Sequence, residues 1–129
     1  MQKNPITLTL KQSKEALPVL RGARKLLVTK GWCQGVEWES KDGSFNSEHK
    51  DRFCAYGALI EVSNSTDERK VWYRALGTMA AKRMGYNYGS VSNIVTYNDD
   101  VANNKRQVLG LFDATITAVR KRIQQLRRA

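Results

Sequence analysis

The sequence predicts a mainly α-helical single domain over residues 1–129, a small bundle of about five helices with one short β-hairpin near residues 34–46. Three observations favour this fold. A length of 129 residues suits one compact domain. A hydrophobic fraction of 41% supplies a core and argues against wholesale disorder. Apolar residues recur at three- and four-residue spacings over most of the chain, between stretches rich in Gly, Asn and Ser.

The first thirty residues predict a short strand and a helix. Apolar and polar residues alternate over 6–10, which is typical of a strand. A helix over 13–30 follows, and Pro18 belongs in a first turn, which delays the predicted start to Glu15 or later. One face of this helix forms a predicted buried stripe of Ala16, Leu20, Ala23 and Leu27.

The middle of the chain predicts the hairpin and a central helix. Asp42-Gly43 is a dipeptide favoured in tight hairpin turns. The second helix is predicted from Glu48 to Val62, and it is apolar almost all round, so we expect it at the centre of the fold. Gly57 in its middle predicts a close approach by another helix.

Capping patterns predict the remaining helices. Ser65-x-x-Glu68 has the form of a capping box for a third helix that reaches about Met84. Ser90 is a candidate cap for a short helix that Asn98-Asp99-Asp100 would end. Asn104 with Gln107 resembles a cap pair for a last helix that continues to the end of the chain.

The last helix carries an apolar stripe longer than so small a domain needs. At about 1.5 Å per residue it would be on the order of 35 Å long. Two alternatives follow. Either the final turns project and bind a second copy, as a homodimer, or a partner helix, or they fold back on the first helix. We expect truncation after Thr117 to weaken binding of a partner without unfolding the core. The stripe consists of Val108, Phe112, Ile116, Val119, Ile123 and Leu126.

Four segments, taken together, resemble a small domain family of actinobacteria and bacteriophages. They are Gly-Trp-Cys-Gln-Gly at 31–35, Phe-Cys-Ala-Tyr-Gly-Ala-Leu at 53–59, Ile-Val-Thr-Tyr-Asn-Asp at 94–99 and Gln-Val-Leu-Gly-Leu-Phe-Asp-Ala-Thr-Ile at 107–116. The family has GWCQG-like, CAxGAL-like, WND-like and VLxLFDxAI-like motifs in this order. The resemblance implies a helical domain of phage or bacterial origin and no particular chemistry.

The resemblance covers about residues 16–117 and leaves the basic extension at 118–129 outside it. It also has one departure at a motif position. Tyr97 stands where the family usually has Trp, which keeps an aromatic side chain there.

The net charge of +10 is concentrated at the two ends of the chain. Residues 1–30 and residues 105–129 each carry seven basic side chains and one acidic one. The segment between them carries eight basic and ten acidic side chains. The basic ends indicate a polyanionic partner: nucleic acid, an acidic protein surface or, as the weakest candidate, an anionic membrane. Basic helix faces are also often merely solvated.

Basic residues at helical spacings predict where such a partner would bind. Arg and Lys on one helix face can contact phosphates, and neighbouring Gln side chains extend the hydrogen-bonding reach. The predicted nucleic-acid-binding residues are Arg120, Lys121, Arg122, Arg127 and Arg128 on the last helix, and Lys14, Arg21 and Lys25 on the first.

Catalytic and metal sites have little support in the sequence. Cys33, His49 and Cys54 do not match the paired spacings of structural zinc sites, so no metal is predicted. A Cys33 nucleophile with His49 as its base is conceivable but has a packed thiol as its simpler alternative. Asp99 and its neighbours are more typical of turns and caps than of a carboxylate site. With no phosphate-binding glycine motif, we expect no cofactor and no enzymatic activity.

The two family-like turns are candidates for a ligand notch. If they meet in space, Trp32, Gln34, Tyr97 and Asn98 would form an aromatic, amide-lined notch for a base, a small ligand or a peptide. The alternative is that Trp32 and Tyr97 close the ends of the core.

The sequence as a whole predicts a small, non-enzymatic binding protein of a phage or bacterium that engages DNA, RNA or a nucleic-acid-bound complex. The alternative is a phage-encoded inhibitor that binds a host defence or transcription protein. No apolar run reaches the length of about 20 residues that a membrane-spanning helix needs, and the first residues do not resemble a signal peptide. We therefore expect a cytoplasmic protein, in the host cytoplasm if it is phage-encoded, without a membrane partner.

Overall fold

The computed structural model describes residues 3–129 as five α-helices and a two-stranded hairpin, which confirms the predicted fold class. Between the fourth and fifth helices lies a π-helical turn. In chain order the elements are α1 (Leu10–Thr29), β1 (Trp38–Glu39), β2 (Arg52–Phe53), α2 (Ala55–Ser63), α3 (Val71–Arg83), α4 (Val91–Thr96), the π-helical turn (Tyr97–Val101) and α5 (Lys105–Arg128).

The segment before α1 is not a strand, so that prediction is wrong. Ile6 and Leu8 are buried, at 2% and 3% exposure, but the segment pairs with no strand among the described residues. Side chains hold it along α5 instead. The Asn4 amide donates to the carbonyl of Ala118 at 2.9 Å, and Arg122 Nε donates to the carbonyl of Leu8 at 2.8 Å.

Helix α1 begins earlier than Pro18 predicted. Thr9 and Gln12 form a capping box, with Thr9 Oγ1 accepting from the Gln12 amide at 3.1 Å, and this cap starts the helix before Glu15. Pro18 therefore lies inside the helix. The carbonyl that loses its helical donor there belongs to the exposed Lys14, where water can satisfy it. The predicted buried stripe is confirmed and gains Ser13: Ser13, Ala16, Leu20, Ala23 and Leu27.

The hairpin is confirmed with different bounds. Strand β1 pairs antiparallel with β2, and Trp38 faces Phe53. A turn forms at the predicted Asp-Gly pair, with Gly43 at a φ of +78°. This turn lies inside a long connection, residues 40–51. The second strand, β2, comes after the predicted interval of 34–46.

Helix α2 starts at Ala55 rather than at Glu48, because the residues before it belong to β2. Cys54 caps the helix, and its Sγ accepts from the amide of Gly57 at 3.2 Å. The close approach predicted at Gly57 exists, but the neighbour is a loop and not a helix. A Cβ at this position would lie 1.8 Å from the carbonyl oxygen of Glu37.

Helix α3 starts at Val71, so the predicted capping box at Ser65 is wrong. Ser65 Oγ instead accepts from the amide of Asp67 at 3.2 Å, which stabilises a turn ahead of the helix. The carbonyl of Ser65 accepts a hydrogen bond from the hydroxyl of Tyr73. The local side-chain bonds of this turn compete with helix formation, and the helix begins only after the turn closes.

Helix α4 begins at the predicted cap but does not end where predicted. The amide of Ser90 donates to Asn93 Oδ1 at 2.9 Å, as in a capping box. Residues 98–100 do not end the helical conformation. It continues as the π-helical turn to Val101. A Cβ on Gly77 would lie 2.7 Å from the carbonyl oxygen of Ser90, so α3 and the start of α4 pack backbone to backbone.

Helix α5 begins at the predicted cap, where the Asn104 side chain accepts from the amide of Gln107 at 3.0 Å. It runs antiparallel to α1, since Arg24 pairs with Asp113 at 2.5 Å while the other end of α5 reaches the start of α1. Val119 is fully buried.

The apolar stripe of α5 therefore folds back on α1, which was one of the two alternatives. Ile123 is only 8% exposed, and Leu126 is half-buried. The structure argues against the expectation that truncation after Thr117 spares the core, because the removed residues include Val119 and Ile123 of the core.

Candidate functional site

Packing of α1 against α5 brings the two basic ends of the chain together. A groove of about 360 Å³ lies between these helices, and we call it the α1/α5 groove. Its walls carry Lys14, Arg120 and Arg127 together with Gln124. Its apolar lining comes from Leu17, Pro18 and Ile123. Cations from two segments about a hundred residues apart thus face one cavity.

The other predicted basic residues surround this groove. Arg21 and Lys25 are exposed on α1, on the face that carries Lys14, and Arg128 is exposed in the last turn of α5. Arg122 is half-buried and holds the N-terminal segment through Leu8, so it is placed apart from the groove.

None of the eight predicted cations takes part in an ion pair within residues 3–129. The four ion pairs found there use other residues on the basic side: Arg24, Lys50, Arg52 and Arg69. Unpaired cations around a groove produce a positive potential that attracts anions.

A second groove, which was not predicted from the sequence, lies on the other flank of α5. This α3/α5 groove has a volume of about 600 Å³. Lys3, Lys82, Arg83 and Lys121 line it. In the sequence, Lys82 and Arg83 resemble the cations that commonly end a helix, so the signal was present but ambiguous.

One acidic residue, Asp113, also lines the α3/α5 groove, and Arg24 neutralises it at 2.5 Å. Arg83 is held in place by two hydrogen bonds of 3.2 Å, to the hydroxyl of Tyr97 and to the carbonyl of Gly110. The groove therefore keeps a strongly positive lining.

The two family-like turns meet, as the notch hypothesis required, and we call their junction the polar clasp (Trp32, Gln34, Asn98 and Asp99). Asn98 is fully buried. Its Oδ1 accepts from Trp32 Nε1 at 2.7 Å and from the amide of Ala55 at 2.9 Å. Its Nδ2 donates to the carbonyl of Cys33 at 3.0 Å and to Asp99 Oδ1 at 2.9 Å. All four hydrogen-bonding positions of this amide are thus used inside the chain.

Gln34 completes the clasp at the end of the π-helical turn. Its Nε2 lies 3.0 to 3.2 Å from the carbonyl oxygens of Asn98, Asp99 and Ala102, which the helix end leaves without helical donors. Asp99 Oδ1 also accepts from the amide of Gly35 at 3.0 Å. The clasp therefore ties the turn after α1 to the turn before α5.

Tyr97, the fourth residue of the predicted notch, points away from the clasp. It is 5% exposed, and its hydroxyl accepts from Arg83 and donates to the carbonyl of Gln107 at 3.4 Å. Tyrosine can accept a hydrogen bond from Arg83, whereas the indole N–H of tryptophan can only donate. The geometry brings Trp32, Gln34 and Asn98 together and separates Tyr97 from them; a ligand at this junction stays a prediction.

The two cysteines have the features of packed thiols. Burial is the main reason why the pKa of Cys33 is raised to about 12 and that of Cys54 to about 11. Both groups are therefore neutral thiols near pH 7, and a thiolate nucleophile gains no support. His49, the candidate base, is exposed in the long hairpin connection.

Within residues 3–129, no three His, Cys, Asp or Glu side chains are arranged to hold a metal ion. In that same range no helix combines the length and the apolar character required to cross a bilayer.

Fold and site together define a small helical-bundle domain that a buried polar clasp holds together and that carries a basic surface around α5. The chain belongs to a family of unknown function, DUF6197, whose sequence profile matches residues 12–118. No curated protein and no solved structure matches the chain. Residues 119–129, with most of the cations of α5, lie beyond the matched range.

Proposed function

We propose that this protein binds nucleic acid through the basic surface that α1 and α5 build together. The observation that carries the proposal is the α1/α5 groove, in which Lys14, Arg120 and Arg127 converge from the two ends of the chain. None of these three takes part in an ion pair within residues 3–129. Phosphates would supply the missing counter-charges.

The chemistry of the groove suits the nucleic-acid backbone better than a base sequence. Arg and Lys contact phosphates irrespective of sequence, and Gln124 adds a hydrogen-bonding group beside them. The cations lie along the sides of two antiparallel helices, so no single helix is presented for insertion into a major groove. We therefore propose binding that depends on charge and not on base sequence, without a catalytic step. We also propose a phage or bacterial origin, which the family-like motifs support, and a cytoplasmic location.

Fluorescence anisotropy with labelled single-stranded and duplex DNA and RNA tests the proposal. We expect binding at about 50 mM salt that weakens by about two orders of magnitude at about 200 mM, which is the slope for roughly four phosphate contacts. Absence of binding to all four nucleic acids at the lower salt concentration would overturn the proposal. In that case an acidic protein surface, as in the inhibitor alternative, becomes the better candidate partner.

Variants of the groove decide whether it is the binding site. Arg120→Glu should weaken binding by about tenfold or more, because it both removes and reverses one charge at the surface. Lys41→Glu is the matched control, since Lys41 is exposed in the hairpin connection and lines neither groove. Equal effects of the two variants would show that only the net charge matters and would contradict the assignment.

A further inference from the structure

The α3/α5 groove and the α1/α5 groove are joined across the surface of α5. A smaller cavity of about 190 Å³ lies between them, lined by Thr117, Arg120, Lys121 and Gln124. Thr117 and Lys121 also line the α3/α5 groove. Arg120 and Gln124 also line the α1/α5 groove. The three cavities therefore share their walls and form one path.

This path is basic along its whole length. Lys82 and Arg83 stand at one end, Lys121 and Arg120 on the crest of α5, and Arg127 at the other end. Those cations lie on both sides of α5 and on its outer surface. A partner that contacts all of them must bend over the helix.

The α3/α5 groove differs from a plain phosphate site because it is lined with apolar groups as well. Besides its cations, the groove is lined by Pro5, Met79, Ala114 and Ala118. Its volume of about 600 Å³ is in the range of small-molecule sites. A nucleotide has this combination of properties, since a flat apolar base is joined to an anionic phosphate. A base in a duplex is stacked and paired, so only an unpaired base can enter such a cavity.

Exposed aromatic side chains follow at the same end of α3. Tyr86 and Tyr88 are 60% and 89% exposed. Their loop begins directly after Lys82 and Arg83, and the amide of Tyr86 donates to the carbonyl of Ala81 at 2.9 Å. Exposed aromatic rings are typical stacking partners for the bases of single strands.

We propose that the path takes a single strand of nucleic acid, with an unpaired nucleotide in the α3/α5 groove and the strand crossing α5 into the α1/α5 groove. This inference rests on the proposed function, because the α1/α5 groove is its second half. A flexible single strand can follow the bend over α5, whereas a short duplex is stiff and contacts one flank of the helix.

Anisotropy with homopolymer single strands of about 5 to 25 nucleotides and a duplex of about 20 base pairs tests this inference. Affinity for the single strands should rise with length until the path is filled, and then level off. Lys82→Glu should weaken binding of the long single strand by about tenfold and leave the duplex nearly unchanged. Lys14→Glu, at the other groove, should weaken both, and Lys41→Glu should change neither by more than about twofold.

Tyr86→Ala with Tyr88→Ala provides a second measurement that leaves the charge unchanged. This double variant should weaken single-strand binding by about fivefold or more through lost stacking. The exposed Phe45 gives a matched control, since Phe45→Ala removes an aromatic ring that lies in the hairpin connection, at 54% exposure.

The variants distinguish failure of the single-strand path from failure of the proposed function. If Lys14→Glu weakens binding but Lys82→Glu and the tyrosine variant do not, the single-strand path is wrong and the proposed function stands. The path is also overturned if Lys82→Glu weakens duplex and single strand equally. If the wild-type protein binds no nucleic acid, both proposals fail together.

Discussion

The polar clasp and the basic surface around α5 differ in whether their polar groups have partners within the chain. In the clasp, every hydrogen-bonding position of the Asn98 amide has a partner within the chain. On the basic surface, Lys14, Arg120 and Arg127 have no ion-pair partner within residues 3–129. A saturated buried network stabilises a fold, and a set of unpaired exposed charges is available to a partner.

The two regions also differ in their position relative to the family profile. The clasp lies inside the matched range of 12–118, whereas Arg120, Lys121 and Arg127 lie beyond it. The clasp therefore belongs to the part of the chain that matches the family profile, while this chain's densest charges lie outside that part.

Truncation after Thr117 should have the largest effect, because it removes both core residues and cations of α5. It removes the buried Val119 and Ile123 together with the cations, and it also removes Arg122, which holds the N-terminal segment. We expect the shortened chain to lose its cooperative thermal unfolding transition, measured by circular dichroism. A folded truncated chain would show that the basic extension is a separate appendage.

Asn98→Ala should destabilise the protein strongly and leave its cations in place. It leaves Trp32 Nε1, the amide of Ala55 and the carbonyl of Cys33 without this partner, at about 1 to 3 kcal/mol for each buried group. We expect the free energy of unfolding to fall by about 4 kcal/mol in urea titrations. Asp100→Ala is the control in the same π-helical turn, since Asp100 is exposed, and it should cost less than about 0.5 kcal/mol. Equal losses would show that the network contributes little to stability.

Gly57→Ala tests the close packing at the start of α2, next to the polar clasp. The new Cβ would lie 1.8 Å from the carbonyl oxygen of Glu37, so backbone must move, and we expect a loss of about 3 kcal/mol. Gly110→Ala is the matched control inside α5, where the nearest atom is Arg83 Nη1 at 3.9 Å. That variant should stabilise the helix by about 0.5 to 1 kcal/mol. Thermal unfolding of both variants measures the difference, and a neutral Gly57→Ala would contradict the close packing.

Helical periodicity predicted the fold well because the buried stripes of α1 and α5 follow from spacing alone. The caps at Ser90 and Asn104 were also predictable, since each bonds to a residue three positions on. The capping box at Ser65 was wrong because a local turn through Asp67 uses the same side chain. The start of α1 was wrong because Thr9 caps the helix ahead of the proline.

The candidate site was predictable only in part. Charge and spacing indicated Lys14, Arg120 and Arg127, but their convergence depends on the antiparallel packing of α1 on α5. Lys82 and Arg83 gave no clear signal, because cations in the last turn of a helix have an ordinary electrostatic explanation. The meeting of Trp32 with Asn98 depends on tertiary packing, so the sequence showed two motifs and not their contact.

If α5 carries a binding surface whose charges are not needed for the fold, Arg120→Glu should separate binding from stability. Affinity for labelled nucleic acid and the free energy of unfolding should be measured on the same preparations of wild type, Arg120→Glu and Lys41→Glu. We expect an affinity loss of about tenfold or more for Arg120→Glu alone, with unfolding free energies of both variants within about 0.5 kcal/mol of wild type. Unchanged affinity in Arg120→Glu, or a loss of stability as large as that expected for Asn98→Ala, would show that Arg120 is not a binding residue independent of the fold.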